Sequence, residues 1–488
     1  MVKKNPSRGG LTMNLAAQLK VLSTEDMQKI HEKVLELLER KGMVFQSNDA
    51  VETFRRHGAK IEDHTVRIPK EMTEQALKQC PSSFLLEAMD PKYNVTVGDG
   101  LLIHPAGGEV FIEDYEKGRR APTLKDFADL QKLYQACDNI DIGGYQPLSP
   151  GDVAEEVKGL HCMLRSFRHC SKPLLSPMEL DTVKQKEECL EIFNVAYGKE
   201  NYIEDHYLTW HAVCPNSPFF YSDFACEGIR VYAEHNQPLI IVSAPMTGIT
   251  APVYLLSAVV LSLAEMIAGL VYAQLIRPGV PVVLSASLTY GNMRYATWEC
   301  AAPDTALMLC ASIQMFRDFY RLPARAQTGV TSAKCIDYQA GAETMQSLLT
   351  SALAGVNLTS QSVGTLANLM TTSLEKTVLD DELIGRVRYL LQGMDTSEEA
   401  FGMEELMAAE PCRDFMTAES TLRHFRDGWQ PTVSDWRSSK SWEQDGKKDA
   451  AAAAHEKVRK ILAEAPETLL TEEQEKDLQS YIQSIETK

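Results

Sequence analysis

The chain has 488 residues, 44% of them hydrophobic and 24% charged, with a formal net charge of −18. That length excludes a single small core and fits a large α/β barrel with additions, or two to four domains. The acidic balance speaks against nucleic acid and against an anionic membrane surface, both of which call for clustered Lys and Arg.

The 11 cysteines include no C-x-x-C pair, and several lie in apolar helical runs. They read as reduced thiols of a cytoplasmic protein, packed as small hydrophobes. The first residues, MVKKNPSRGGLTMN, lack the apolar stretch of a signal peptide. The most apolar window, 252–276, contains Glu265 and several small residues and reads as a buried helix, not a membrane span.

In chain order, residues 24–42 form an amphipathic helix with Thr24 as N-cap and Gly42 as stop. Residues 44–120 read as short strands and helices, including a hairpin in GDGLLIHPAGGEVFIED with Gly107-Gly108 at its turn. From Pro122 onward, apolar β-branched runs alternate with helical patterns. The runs are 139–146, 172–177, 206–213, 238–245, 281–287, 323–330 and 357–364. They start roughly 30–45 residues apart, the repeat of βα units. An eighth strand can come from 101–113 or earlier. The expected fold is therefore a (β/α)₈ TIM-type barrel. A doubly wound sheet is second choice, since no G-x-G-x-x-G occurs. The expected boundaries are a helical and mixed α+β region 1–120, barrel repeats 121–394 and a helical C-terminal extension 395–488. The tail carries Trp429, Trp436 and Trp442 and suits either a subunit contact or packing on its own barrel.

In such a barrel the active site lies at the C-terminal ends of the strands. Those ends supply Tyr145, Gln146, Ser176, Trp210, His211, Ser243, Ser285, Ser287, Tyr290, Gln327, Thr328, Gln361 and Ser362. The set is neutral, polar and aromatic, without the carboxylate pair or lysine of a hydrolase or aldolase. Metal ligation is poorly supported. His161, Cys162, His169 and Cys170 have the wrong helical spacing, and His211 with Cys214 makes too few ligands. The stretch HYLTWHAVCPNSPFFYSDF suggests an aromatic cage. Trp210, Phe219, Phe220, Tyr221, Tyr290, Tyr295 and Trp298 could hold a quaternary ammonium by cation–π attraction, with ordinary core packing as the plainer alternative.

Several long segments then carry a resemblance. GGEVFIEDYEKGRRAPTLKDFADLQKL, GVTSAKCIDYQAGAETMQSLLTSALAGVNL, VLDDELIGRVRYLL and STLRHFRDGWQPTVSDWRSSKSWEQDGKKD occur in order. The chain resembles the trimethylamine methyltransferase family in its non-pyrrolysine branch. The resemblance implies a (β/α)₈ barrel that moves a methyl group from an amine to the Co(I) of a separate corrinoid protein, with no tightly bound cofactor. The founding members carry pyrrolysine, expected in or near 324–340, where ordinary residues stand here. Relatives without it demethylate glycine betaine, carnitine, γ-butyrobetaine or proline betaine. On that reading His211 and Gln327 are the catalytic candidates. Tyr145, Trp210, Phe219, Phe220, Tyr221, Tyr290, Arg294, Trp298, Asp337, Gln339 and Gln361 are the substrate-binding candidates. Arg294, or else Arg325, would anchor a carboxylate, and Asp337 could instead cap a helix. The expected partners are a cognate corrinoid protein and a small quaternary amine, and a homo-oligomer is expected. The readings left beside it are a different barrel enzyme acting without a corrinoid partner and a betaine-binding protein.

Overall fold

The computed structural model describes residues 18–487, apart from 106, 145, 146, 178 and 179. Five strands form one parallel sheet in the order Leu358–Ser360, Ala324–Gln327, Val282–Ala286, Leu239–Ser243, His211–Val213. Each falls inside one of the expected apolar runs. Leu239–Ser243 and Val282–Ala286 are buried at every residue, as a parallel sheet covered on both faces requires. The helices that follow the strands are Asp223–Glu234, Leu255–Ile276, Pro303–Gln314, Tyr338–Ala354 and Leu374–Leu391.

Runs 139–146 and 172–177 form no assigned strand among the described residues. They nonetheless continue the sheet through irregular pairing. Leu102 bridges Leu358 in parallel. Asp141 and Ile142 N–H donate to the Ile103 carbonyl at 3.2 and 3.3 Å, and Gly143 N–H donates to the Pro173 carbonyl at 2.9 Å. Segment 101–104 is thus a neighbour of the parallel sheet, which corrects the expected hairpin around Gly107-Gly108. The hairpin instead joins Phe111–Asp114 to Gly118–Arg120, where Asp114 accepts from the N–H groups of Glu116 and Lys117 and sets the turn.

The first helix runs Thr24–Glu36, and its cap is Ser23 rather than Thr24. Ser23 and Asp26 form a reciprocal capping box. A π-helical turn, Leu37–Lys41, carries the helix on to Gly42, whose φ of 79° and whose close approach to the Val66 carbonyl leave no room for a Cβ. Strand Met43–Phe45 pairs antiparallel with Thr65–Arg67 and parallel with Phe220–Tyr221, fastening the N-terminal region to the segment that follows strand His211–Val213. Leu255–Ile276 is buried over most of its length. It packs on the sheet, on helix Thr24–Glu36 and on helix Lys70–Gln79, and so is a core helix. In the tail, Ala450–Glu464 packs on Leu374–Leu391 and Glu472–Glu486 on Val183–Tyr197.

Candidate active site

The register separates the two faces of the sheet. Laterally paired residues point to the same side, and successive residues alternate. Ala212, Ile240 and Val283 form the lowest interior row. They cluster with Trp210, Val242, Leu358 and Leu102, and with hairpin residues Phe84, Leu86, Val95 and Val97 that plug the bottom. The next row is Val242, Ser285, Arg325, Leu358 and Leu102. Above it Gln327 pairs with Ser360, and His104 stands two residues past Leu102. The interior therefore changes from apolar at the bottom to polar at the C-terminal mouth.

Arg325, Gln327, Ser285, Ser360, Trp210 and His104 are all buried. Arg325 Nη1 donates to Ser285 Oγ at 2.7 Å. The His104 ring meets Trp210 edge-on, 6.3 Å between centroids. Burial first, and the positive charge of Arg325 second, hold His104 well below the usual histidine range, so its imidazole is neutral. Gln327 Nε2 has no partner among the described residues. A buried amide left so costs about 1–3 kcal/mol and marks a place where ligand or water belongs. Burial raises Glu109, also fully buried, well above the carboxylate range.

Of the expected site residues, Trp210 and Gln327 are brought into this interior. Tyr145 lies outside the described residues. His211 is not in the pocket: it pairs with Leu239 on the outward face. Its ring stacks on Tyr232 at 4.5 Å, where Gly228 leaves the space. Burial, then the nearby Lys186 charge, pushes its pKa down to about 3. A histidine depressed in the folded state binds its proton when the chain unfolds, so stability falls as pH drops from about 6.5 toward 3. The loss is on the order of 4 kcal/mol. We expect the melting temperature of the wild type to fall over that window and His211→Phe to flatten the fall. An unchanged acid limb in the variant would contradict the assignment.

The aromatic trio serves a joint rather than a cage. Glu265, buried on helix Leu255–Ile276, accepts from Ser217 Oγ and Ser243 Oγ at 2.7 Å each and from Phe219 N–H at 3.0 Å. Phe219 is thereby held at φ 65°. Phe220 is half-buried beside it in the strand paired with Met43–Phe45. Tyr221 stacks on Phe45 at 4.9 Å and donates to the Glu265 carbonyl at 2.8 Å.

Tyr290, Arg294 and Trp298 occupy a hairpin, Tyr290–Asn292 with Thr297–Glu299, after the Val282–Ala286 strand. Tyr290 and Trp298 are half-buried, while Arg294 is exposed at the tip, 5.3 Å from the Tyr295 ring. Asp337 is exposed and is the N-cap of helix Tyr338–Ala354, accepting from Ala340 N–H at 3.0 Å. Gln339 donates to Glu343 at 2.9 Å. Gln361, at φ 55°, donates to the Gly107 carbonyl at 2.9 Å and ties the mouth loop to the strand end. Sequence reasoning missed His104. The apolar run LLIH ending in a polar residue was the signal, hidden by the hairpin reading of the glycines that follow.

Residues 4–487 match the family described as trimethylamine methyltransferase (MTTB). A glycine betaine methyltransferase of Desulfitobacterium hafniense (strain Y51) is 31% identical over 96% of this chain and 97% of its own length. Trimethylamine methyltransferase MttB1 of Methanosarcina mazei is 31% identical over 95% of this chain and 94% of its own. Among solved structures, the Methanosarcina barkeri monomethylamine methyltransferase (MtmB) superposes with a TM-score of 0.55 at 11% identity, covering 92% of this chain and 90% of that one. That likeness concerns the fold alone. With its whole length matched, this chain is a methyltransferase and belongs to the trimethylamine methyltransferase family.

Proposed function

We propose that this methyltransferase takes a methyl group from a betaine, a quaternary amine bearing a carboxylate, and passes it to the Co(I) of a separate corrinoid protein. The observation that carries the reading is the buried interior row in which a permanent cation, Arg325, lies below neutral Gln327, Ser360 and His104. Arg325 would take the carboxylate as a charge-assisted partner. Neutral groups and Trp210 would leave the trimethylammonium near the mouth without a fixed counter-charge. In this reading the irregular segments 101–104, 140–143 and 172–176 complete a ring of eight staves with the five strands, supported by the Leu102 bridge and the Ile103 and Pro173 hydrogen bonds.

The chemistry asks little of acid or base. A quaternary ammonium carries no proton, and its leaving group is a neutral tertiary amine. Co(I) supplies the electron pair for the new cobalt–carbon bond, and the pair of the breaking carbon–nitrogen bond goes to nitrogen. Positive charge on nitrogen disperses in the transition state, so an acidic side chain beside it would stabilise substrate more than transition state. What the chain supplies is alignment and exclusion of water. Gln327, whose Nε2 has no partner among the described residues, is suited to orient the bound substrate. The all-standard sequence over 324–340 agrees with a quaternary rather than a tertiary amine. The glycine betaine named for one relative is the first member of the class to try.

Calorimetry with glycine betaine, carnitine, γ-butyrobetaine, proline betaine, choline and trimethylamine tests this substrate class. One or more betaines should bind, with choline, which lacks the carboxylate, at least tenfold weaker, about 1.4 kcal/mol. Binding of choline or trimethylamine with no betaine bound would overturn the reading.

A further inference from the structure

We propose that residues 395–425 are an exchange arm that seats in an apolar, basic-rimmed groove of a second copy of this chain. Between Gln392 and Gly428 no residue is buried, and only Gly402, Glu405, Ala418 and Thr421 are even half-buried. The arm is nevertheless rich in large apolar side chains. Phe401, Met403, Leu406, Met407, Leu422 and Phe425 are each exposed by more than half, Met407 by 81%. Exposed apolar surface in one contiguous segment marks an interaction site. The arm is not a loose tether. Helix Leu374–Leu391 anchors its start, and its end is held where Arg386 lies 4.4 Å from the Trp429 ring and Glu382 accepts from Thr432 and Val433 N–H. Glu405 accepts from Ser420 N–H at 2.9 Å and clips its two short helices together.

The same chain carries a complementary surface. A groove of about 1070 Å³ opens between Leu37, Phe219, Ile249, Leu256 and Val260, and its rim carries Lys33, Arg40 and Lys41 with Glu36, which pairs with Lys33 and Arg40 and leaves the rim cations in excess. Its Ile249 and Leu256 are themselves more than half exposed. The arm holds Asp395, Glu398, Glu399, Glu404, Glu405, Glu410, Asp414 and Glu419 against Arg413 and Arg423, and its first part, 395–410, has no Lys or Arg. Acidic arm and basic rim are thus matched in sign, as apolar arm and apolar groove are matched in character. The groove flanks the helix after strand Leu239–Ser243, whereas the arm leaves the helix after Leu358–Ser360, with two strands of the sheet between them. In one chain both surfaces stay open. A two-fold pair of chains covers both patches twice, because each copy offers one arm and one groove. The corrinoid partner is the weaker occupant, since it has to dissociate after each transfer while this surface needs permanent cover.

The test uses full-length protein with the exposed Cys214, Cys335 and Cys412 changed to Ser. Two chains with tags of different size are co-expressed, one bearing Leu256→Cys and the other Met407→Cys, and treated with a short bismaleimide. We expect a covalent species of the summed mass, absent when either cysteine is used alone. A chain bearing both cysteines that cross-links only within itself, or a purely monomeric mass by light scattering at micromolar concentration, overturns the proposal. Charge reversal gives an independent readout. Arg40→Glu with Lys41→Glu should weaken self-association at least tenfold, and Glu399→Lys with Glu404→Lys on the arm should restore it. A self-association constant indifferent to both reversals overturns the proposal as well.

Discussion

Arg325→Ala is expected to lower kcat/KM for a betaine by roughly 10²–10³-fold, the range for removing one member of a buried charge-assisted pair. Arg325 sits on the interior row, buried, with Ser285 as hydrogen-bond acceptor at 2.7 Å. Taking a substrate carboxylate out of water is costly unless a cation with matched geometry receives it. Arg325→Lys keeps the charge and loses the planar fork, so it should recover only part of the loss, chiefly by raising KM. Circular dichroism on both variants separates a binding defect from an unfolded chain. A folded Arg325→Ala protein with wild-type KM would contradict carboxylate anchoring. Arg294, the first choice from sequence, should be nearly silent in the same assay because it is exposed at a hairpin tip.

Glu265→Ala is expected to cost about 3–5 kcal/mol of stability, since three donors lose a buried acceptor at once. Ser217, Ser243 and Phe219 N–H all converge on that carboxylate. Burial raises the Glu265 pKa, and the hydroxyl and amide donors oppose the rise. The damage should reach past the helix, because the Phe220–Tyr221 strand next to these contacts pairs with Val44 and Phe45 of the N-terminal region. Hydrogen exchange of the Val44 and Gln46 amides, which donate to Phe219 and Tyr221 carbonyls, reads that coupling directly. Fast exchange at both in Glu265→Ala is the expected result. Wild-type protection with wild-type melting would show that Glu265 is not the clasp.

Spacing and β-branched runs were enough to locate the five strands, because a doubly covered parallel strand must be apolar throughout, as Leu239–Ser243 is. Facing was not legible. Trp210 and His211 are adjacent, and only the pairing of His211 with Leu239 sends the tryptophan inward and the histidine out. Continuous apolar strands give no alternation from which to read that choice. The Phe219–Tyr221 cluster looked like a cage because aromatics suit both a cation and a core, and the partner that settles it, Phe45, lies far away in sequence. Runs 139–146 and 172–177 were expected as strands but form no regular ladder among the described residues, because proline and glycine interrupt the pairing: Gly143 reaches the carbonyl of Pro173. Asp337, a substrate-binding candidate with a helix cap as its alternative, is the cap: capping is local, and the helix begins at the next residue.

The most direct test of the methyl-transfer reading is spectroscopic. The purified protein is mixed with a cognate corrinoid protein held as Co(I), one amine is added at a time, and conversion to methyl-Co(III) is followed in the visible spectrum. Rapid methylation with at least one betaine, and none with trimethylamine, is the predicted result. No methyl-Co(III) with any betaine, from a corrinoid protein shown to be competent with another methyltransferase, would contradict the account.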